Sequence, residues 1–253
     1  MRRAITALAL LLCGCGGGAG AVGGGTADTL SGTVTVFAAT SLTDAFTKVG
    51  KGYQAIHPRV MVRFTFAGTP ILVTQLANGA QADVFASADE PNMDRVTGAG
   101  LAAGPPDVFA HNRLEIVVEP GNPKHITGLA DLARPGLVVV LAGPTVPAGR
   151  YAGQALKAAG VTVTPASQET DVGFVVSKVA LGEADAGIVY LTDVRAAGGR
   201  VSGVEIPDAY NVLATYPAVV LRGTANVPAA KAFVGYLLSA GQATLLSFGF
   251  TAP

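Results

Sequence analysis

The chain has 253 residues, half of them hydrophobic and only 13% charged, enough for two lobes that each bury a core. Its 17 basic and 17 acidic residues cancel. No basic run long enough to grip phosphates occurs, which argues against a nucleic-acid binder.

The N-terminus carries an export pattern. Arg2 and Arg3 precede an apolar run from Ala4 to Leu12, too short to span a bilayer but suited to a signal-peptide core. The run ends in Leu12-Cys13-Gly14-Cys15, which resembles a bacterial lipobox. Residues 1–15 are thus read as a lipoprotein signal ending at Cys15, the residue expected to be lipidated. An ordinary secretory signal cleaved nearby is the alternative. No cysteine follows Cys15, so the folded part has no disulfide, no Cys-based zinc site and no thiol nucleophile. Residues 16–32 are rich in Gly, Ala, Ser and Thr, without periodicity, and read as a flexible tether.

From Thr33 strands and helices alternate. Thr33 to Ala38 is β-branched and apolar, a buried strand. Leu42, Ala45, Phe46, Val49 and Tyr53 recur on one helical face, and Ser41 with Asp44 fits a capping box. His57-Pro58 marks that helix's end. Val60 to Phe66 alternates as a strand. Pro70 opens a helix that Gly79 can close. Val84 to Ala86 is a short strand, and a helix runs from Pro91 to about Gly98. Strands follow at Leu114 to Val118 and Leu137 to Ala142, then a helix from about Gly149 to Ala159 closed by Gly160. Val161 to Thr164 reads as a strand, Asp171 to Leu181 as a helix and Ala186 to Tyr190 as a strand. Tyr216 to Leu221 is a strand, and Pro228 to Leu238 a helix. This alternation implies α/β sheets with helices on both faces, and a ligand at the carboxyl ends of the strands.

Enzyme and cofactor signatures are missing: no G-x-S-x-G, H-E-x-x-H, Walker A or dinucleotide fingerprint occurs. His57, His111 and His125 lack partners at metal-ligand spacing, so no metal cation and no cofactor are expected. Asp83 and Asp89 read as a strand entry and a helix cap. Asp171 reads as an N-cap, since a carboxylate would repel an anion. What is present is a set of polar helix starts. Ala39-Thr40-Ser41-Leu42 and Ala67-Gly68-Thr69-Pro70 each link a strand to a helix with hydroxyls and free amides. Gly68 permits close backbone approach. Pro70 has no N–H, leaving Ile71 and Leu72 as amide donors. Helix starts carry unpaired N–H groups and partial positive charge, so two facing ones can hold a dianion with neutral donors alone. Plain N-capping by Ser41 and Thr69 is the competing explanation.

The ordered motifs resemble a known family. Val36-Phe37-Ala38-Ala39-Thr40-Ser41-Leu42-Thr43-Asp44-Ala45 is similar to the opening of periplasmic molybdate-binding proteins of ABC importers. So are Phe66 to Thr69, Gly79 to Asp89, Val146-Pro147-Ala148-Gly149-Arg150-Tyr151-Ala152, Gly187 to Tyr190 and Gly249-Phe250. The resemblance spans about Gly32 to Thr251. It implies a two-lobe type II periplasmic binding protein fold with mixed sheets flanked by helices and the ligand in the interlobe cleft. Residues 33–112 plus 217–253 would form lobe I and 113–216 lobe II, with crossings near His111 to Arg113 and Thr215 to Pro217. It also implies an oxyanion site of the Ser41 and Thr69 hydroxyls, the Ala148 and Val172 backbone N–H groups and the Tyr190 hydroxyl. Thr69 departs from the family's common serine, and Gly68 and Pro70 replace hydroxyl-bearing positions of many relatives. Gly173 stands where some relatives carry Arg.

The function so implied is binding without catalysis: capture of molybdate, and equally tungstate, for an ABC importer's permease and ATPase. The protein would act as a monomer, anchored by lipidated Cys15 to the outer face of the cell membrane. The alternatives are a receptor for another oxyanion such as sulfate, an exported hydrolase using Ser41 as nucleophile, and a structural lipoprotein without ligand.

Overall fold

The computed structural model describes residues 29–253. The signal segment, Cys15 and residues 16–28 of the expected tether lie outside the described residues.

Two five-stranded mixed sheets organise the chain. The first begins with β1 (Gly32–Ala39), β2 (Val60–Ala67) and β3 (Val84–Ala86), separated by α1 (Thr43–Ile56) and α2 (Thr69–Ala77). Helix α3 (Glu90–Gly98) and β4 (Asp107–Asn112) follow. Strand β1 lies inside the sheet, parallel to β2 on one side and β3 on the other. Val34, Val36 and Ala38 join one apolar core while Phe37 joins another, the period-two alternation of a strand covered on both faces.

Arg113 alone separates β4 from β5 (Leu114–Val118), the first strand of the second sheet. That sheet adds β6 (Val139–Ala142), β7 (Ser167–Glu169), β8 (Ala186–Tyr190) and β9 (Ser202–Glu205) in the order β7-β6-β8-β5-β9. Its helices are α4 (Pro147–Ala158), α5 (Val172–Ala180) and α6 (Leu191–Ala197). The chain returns through residues 206–213 to β10 (Ala214–Val220), which fits antiparallel between β3 and β4. Helices α7 (Val227–Leu237) and α8 (Gln242–Phe248) complete the first half. The two passages between sheets are stitched together: Asn211 takes the Leu114 N–H on its Oδ1 and donates Nδ2 to the Leu114 carbonyl, both at 2.9 Å.

Several expectations change. Residues 161–164 are not a strand; Val161 and Val163 pack half-buried on the core, and their alternation reflects that contact. Pro165 has no N–H to give, and bonding to β6 starts only after it, with the Ala166 N–H on the Val139 carbonyl at 2.8 Å and Ser167 opposite Val140. The return passage precedes Thr215, because Ala214, Thr215 and Tyr216 already pair with β4. The Ser41/Asp44 capping box does not form: a 3-10 turn, Thr40–Leu42, leads into α1, and no side chain caps either. Strands β4 and β9 and helices α6 and α8 carry no sharp sequence signal. They are short, and α6 and α8 follow a strand or a helix with little punctuation.

Candidate functional site

The carboxyl ends of β1 and β2 and the starts of α2, α4 and α5 meet at one small cavity between the sheets. It is lined from the first half by Ala39, Thr40, Ser41, Gly68, Thr69 and Ala88, and from the second by Val146, Pro147, Ala148, Asp171, Val172 and Tyr190. Ser41, Thr69, Ala148, Val172 and Tyr190 thus lie on one cavity although spread over the chain. The space open to the centre of a water molecule is ≈ 10 Å³, about the minimum for one water. As closed here, it has room for one compact species.

Its polar groups arise from local geometry. Ser41 sits in the 3-10 turn, and its hydroxyl lies 3.1 Å from the Tyr216 hydroxyl of β10. Tyr216 is wholly buried and also lies 3.4 Å from Asn112 Nδ2. Thr69 is the first residue of α2, not its cap; Gly68 takes that position. The Gly68 carbonyl accepts the N–H groups of Ile71 (2.9 Å) and Leu72 (3.2 Å), so those amides are spent inside the helix and are not ligand donors. The Thr69 hydroxyl and the Tyr190 hydroxyl, each about 1% exposed as residues, have no hydrogen-bond partner. Tyr190 OH comes close enough to act on Tyr216's titration, but outside hydrogen-bonding geometry. Two buried, unpaired hydroxyls on one cavity cost free energy unless something else satisfies them.

The second half adds helix starts. Pro147 opens α4 with its missing N–H at a position where none is needed. The first turn-closing amide is Arg150, bonded to the Val146 carbonyl at 2.9 Å, so Ala148 stands ahead of the helical ladder. Gly149 is required: a Cβ there would lie 2.2 Å from the Ala142 and Gly143 carbonyls. Helix α5 is capped by Asp171, which accepts the Phe174 N–H at 3.2 Å, leaving the Val172 amide outside the cap. Tyr190 ends β8, and its N–H is held by Asp193 Oδ2 at 3.0 Å.

Burial pushes both phenols upward, Tyr190 well above its ordinary value, so each keeps its proton as a donor. Burial also raises Asp171, against the Phe174 and Gly173 amides. Asp193 is raised to about 7, first by burial, then by the charges of Asp171 and Asp44, with the Tyr190 N–H opposing. No Lys, Arg or His lines the cavity.

The halves close tightly over this space. A Cβ on Gly68 would sit 2.2 Å from the Thr170 carbonyl oxygen across the cleft. Asp83 serves structure, accepting the Thr35 N–H at 2.7 Å. Asp89 caps α3 through the Asn92 N–H. Ser41 has a phenol partner rather than an imidazole. Among the described residues no cluster of His, Cys, Asp and Glu fits a metal ion. Sequence reasoning missed Tyr216 in β10, Asn112 at the end of β4 and the pair Asp89–Arg150 across the cleft.

Comparison with known proteins places this geometry in context. The profile of a family described as bacterial extracellular solute-binding protein matches residues 34–251. A molybdate-binding protein of Mycobacterium tuberculosis is 43% identical over 245 residues, covering 96% of this chain and 93% of its own. The periplasmic molybdate-binding protein of Azotobacter vinelandii superposes with a TM-score of 0.74 at 22% identity, over 87% of this chain and 99% of that one. The sulfate-binding protein SubI of M. tuberculosis gives a TM-score of 0.77 at 20% identity, over 87% and 86%. At these identities the two structures speak for the fold alone.

Proposed function

The chain belongs to the bacterial extracellular solute-binding protein family, a family of transport receptors and not of enzymes, and from that premise we propose that it captures molybdate for an ABC importer. The observation that carries this reading is the pair of buried, partnerless hydroxyls, Thr69 and Tyr190, on a cavity of single-ion size. The 43% identity to a protein named for molybdate supports the choice of ion.

The site works by chemistry of opposites. A fully deprotonated tetrahedral dianion offers acceptors only. Ser41, Thr69 and Tyr190 offer hydroxyl donors, and Ala148 and Val172 offer amides at helix starts whose partial charge favours an anion. A protonated oxyanion such as hydrogen phosphate would leave its own proton facing donors, a costly mismatch. Sulfate has the same charge and shape, so cavity size must reject it. Tungstate has nearly molybdate's size and is bound about as well. Asp171 stands beside the ion with its carboxylate engaged by the α5 amides, acting as a cap and not as a ligand.

Residues 33–112 with the C-terminal segment act as one lobe and the intervening chain as the other. Their closure buries the ion and completes its donors. The closed monomer then meets the permease and its ATPase at the membrane, to which a lipidated Cys15 ties it. Two acyl signals or a diacylglycerol give a lasting anchor. Replacing Cys15 by Ser releases the protein to the soluble fraction; continued membrane association in cell fractionation would remove the anchor from this account.

The decisive experiment is calorimetry or native mass spectrometry of the purified protein with molybdate, tungstate, sulfate and phosphate in turn. One molybdate per chain, bound in excess of sulfate, is expected. Preference for sulfate would reassign the ligand, and no oxyanion bound at all would overturn the reading.

A further inference from the structure

We propose that Asp89 and Arg150 form a clasp between the two halves, in which closure lays the Arg150 guanidinium on Asp89, holds the cleft shut and cancels a buried negative charge beside the oxyanion cavity. This rests on the oxyanion-receptor reading above.

Asp89 is wholly buried at the start of α3. Its neutral partners come from its own half: Asn92 gives its N–H at 3.1 Å and Nδ2 at 2.9 and 3.1 Å, and the Ser87 hydroxyl lies at 3.4 Å. None of these removes the charge. That charge matters for the site. Ala88, the preceding residue, lines the cavity, and Asp89 acts electrostatically on the Tyr190 and Tyr151 hydroxyls. An uncompensated carboxylate here opposes a dianion.

The cation comes from the other half. Arg150 Nε reaches Asp89 Oδ2 at 3.1 Å, its side chain one-third exposed where it enters the seam. A neighbouring contact, Asn92 Nδ2 to the Thr145 carbonyl at 3.4 Å, crosses the same seam. Arg150 lies in the first turn of α4, two residues past Ala148. Seating its guanidinium on Asp89 therefore also fixes the helix start whose amide faces the cavity. In an opened protein Asp89 keeps its caps and loses its counter-charge, while Arg150 returns to water. The pair thus belongs to the closed state, and Arg150 is a positioning residue that acts through Asp89 and α4 without touching the ion.

A double-mutant cycle reads this directly. Wild type, Arg150→Met, Asp89→Asn and the double variant are compared for molybdate affinity by calorimetry and for association and dissociation rates by stopped flow, with unliganded melting as a control. Arg150→Met is expected to weaken binding by about tenfold to a hundredfold, almost entirely through faster dissociation, with unliganded melting little changed. A residue that only supported the fold would lower melting instead. In the double variant no charge is left to cancel, so most of the loss is recovered, to within about threefold of Asp89→Asn alone. Arg150→Met binding as wild type does, or losses that simply multiply in the double variant, would overturn the clasp alone. A wild type that binds no molybdate would overturn the functional reading and the clasp with it.

Discussion

The two halves that wall the cavity solve the same electrostatic problem with different materials. The first half presents side-chain hydroxyls, Ser41 tethered to Tyr216 at 3.1 Å and Thr69 left without a partner. The second half presents backbone, the starts of α4 and α5, with one phenol, Tyr190, clamped at its own N–H by Asp193. Hydroxyls rotate and can be removed by one substitution. Helix amides are fixed by the fold and survive almost any side-chain change. On the proposed reading, the first half is therefore where selectivity would be adjusted, and the second is where the anion's field would be built in.

The comparison breaks most completely if the halves cannot meet. Gly68→Ala places a methyl 2.2 Å from the Thr170 carbonyl, a clash across the cleft that opening would relieve. It is expected to weaken molybdate binding by about 1–3 kcal/mol, the range for overpacking, with unliganded melting unchanged. Equal calorimetric affinity would show that closure is not this tight. Tyr190→Phe removes a donor and leaves an oxyanion oxygen unpaired, a loss of about 1–2 kcal/mol in the same assay. Val172→Pro deletes a single amide at a helix position that favours proline, with an extended Asp171 before it. About tenfold weaker binding with intact helicity is expected, near 1.4 kcal/mol. No change would mean that the backbone half contributes less than the hydroxyl half. Ser41→Ala costs least of the deletions, about 1 kcal/mol, because in the absence of ion that hydroxyl already serves Tyr216.

A pH experiment sharpens the contrast from the second half alone. Asp193 is raised to about 7 in the folded protein from an ordinary 3.8, so the folded state holds a proton that the unfolded chain has released. Its contribution therefore favours folding at low pH, falls as pH rises from about 4 to 7, and levels off above. Asp193→Asn, which can still accept the Tyr190 N–H, should flatten that slope and melt higher relative to wild type above pH 7 than below pH 5. Parallel curves would show that Asp193 is an ordinary surface acid.

Much of this was legible in the residues. Elements with strong periodicity or flanking glycine and proline, such as β1, α2, α4 and β8, sit within a residue or two of where the pattern puts them. The ordered motifs also name residues that converge on one cavity. Other features were hidden for physical reasons. Ser41 and Thr69 look like caps, since a hydroxyl before a helix usually is one, but Ser41 turns to Tyr216 and Thr69 lies one residue past the cap position, which Gly68 holds. Val161 and Val163 alternate like a strand, but alternation records a half-buried surface whether or not a ladder forms. Tyr216 and Arg150 are read only through contacts 175 and 61 residues away along the chain, which no local pattern encodes.

The double stitch between Asn211 and Leu114 bears on how such a molecule moves. Both strings of chain joining the halves are knotted together at one amide, so neither bends without carrying the other. If the halves move as the proposed lobes, this pair of hydrogen bonds is expected to give them one shared pivot rather than two independent ones. A pair of distance labels across the seam would therefore trace one angle from shut to ajar, wherever on the rims they were attached.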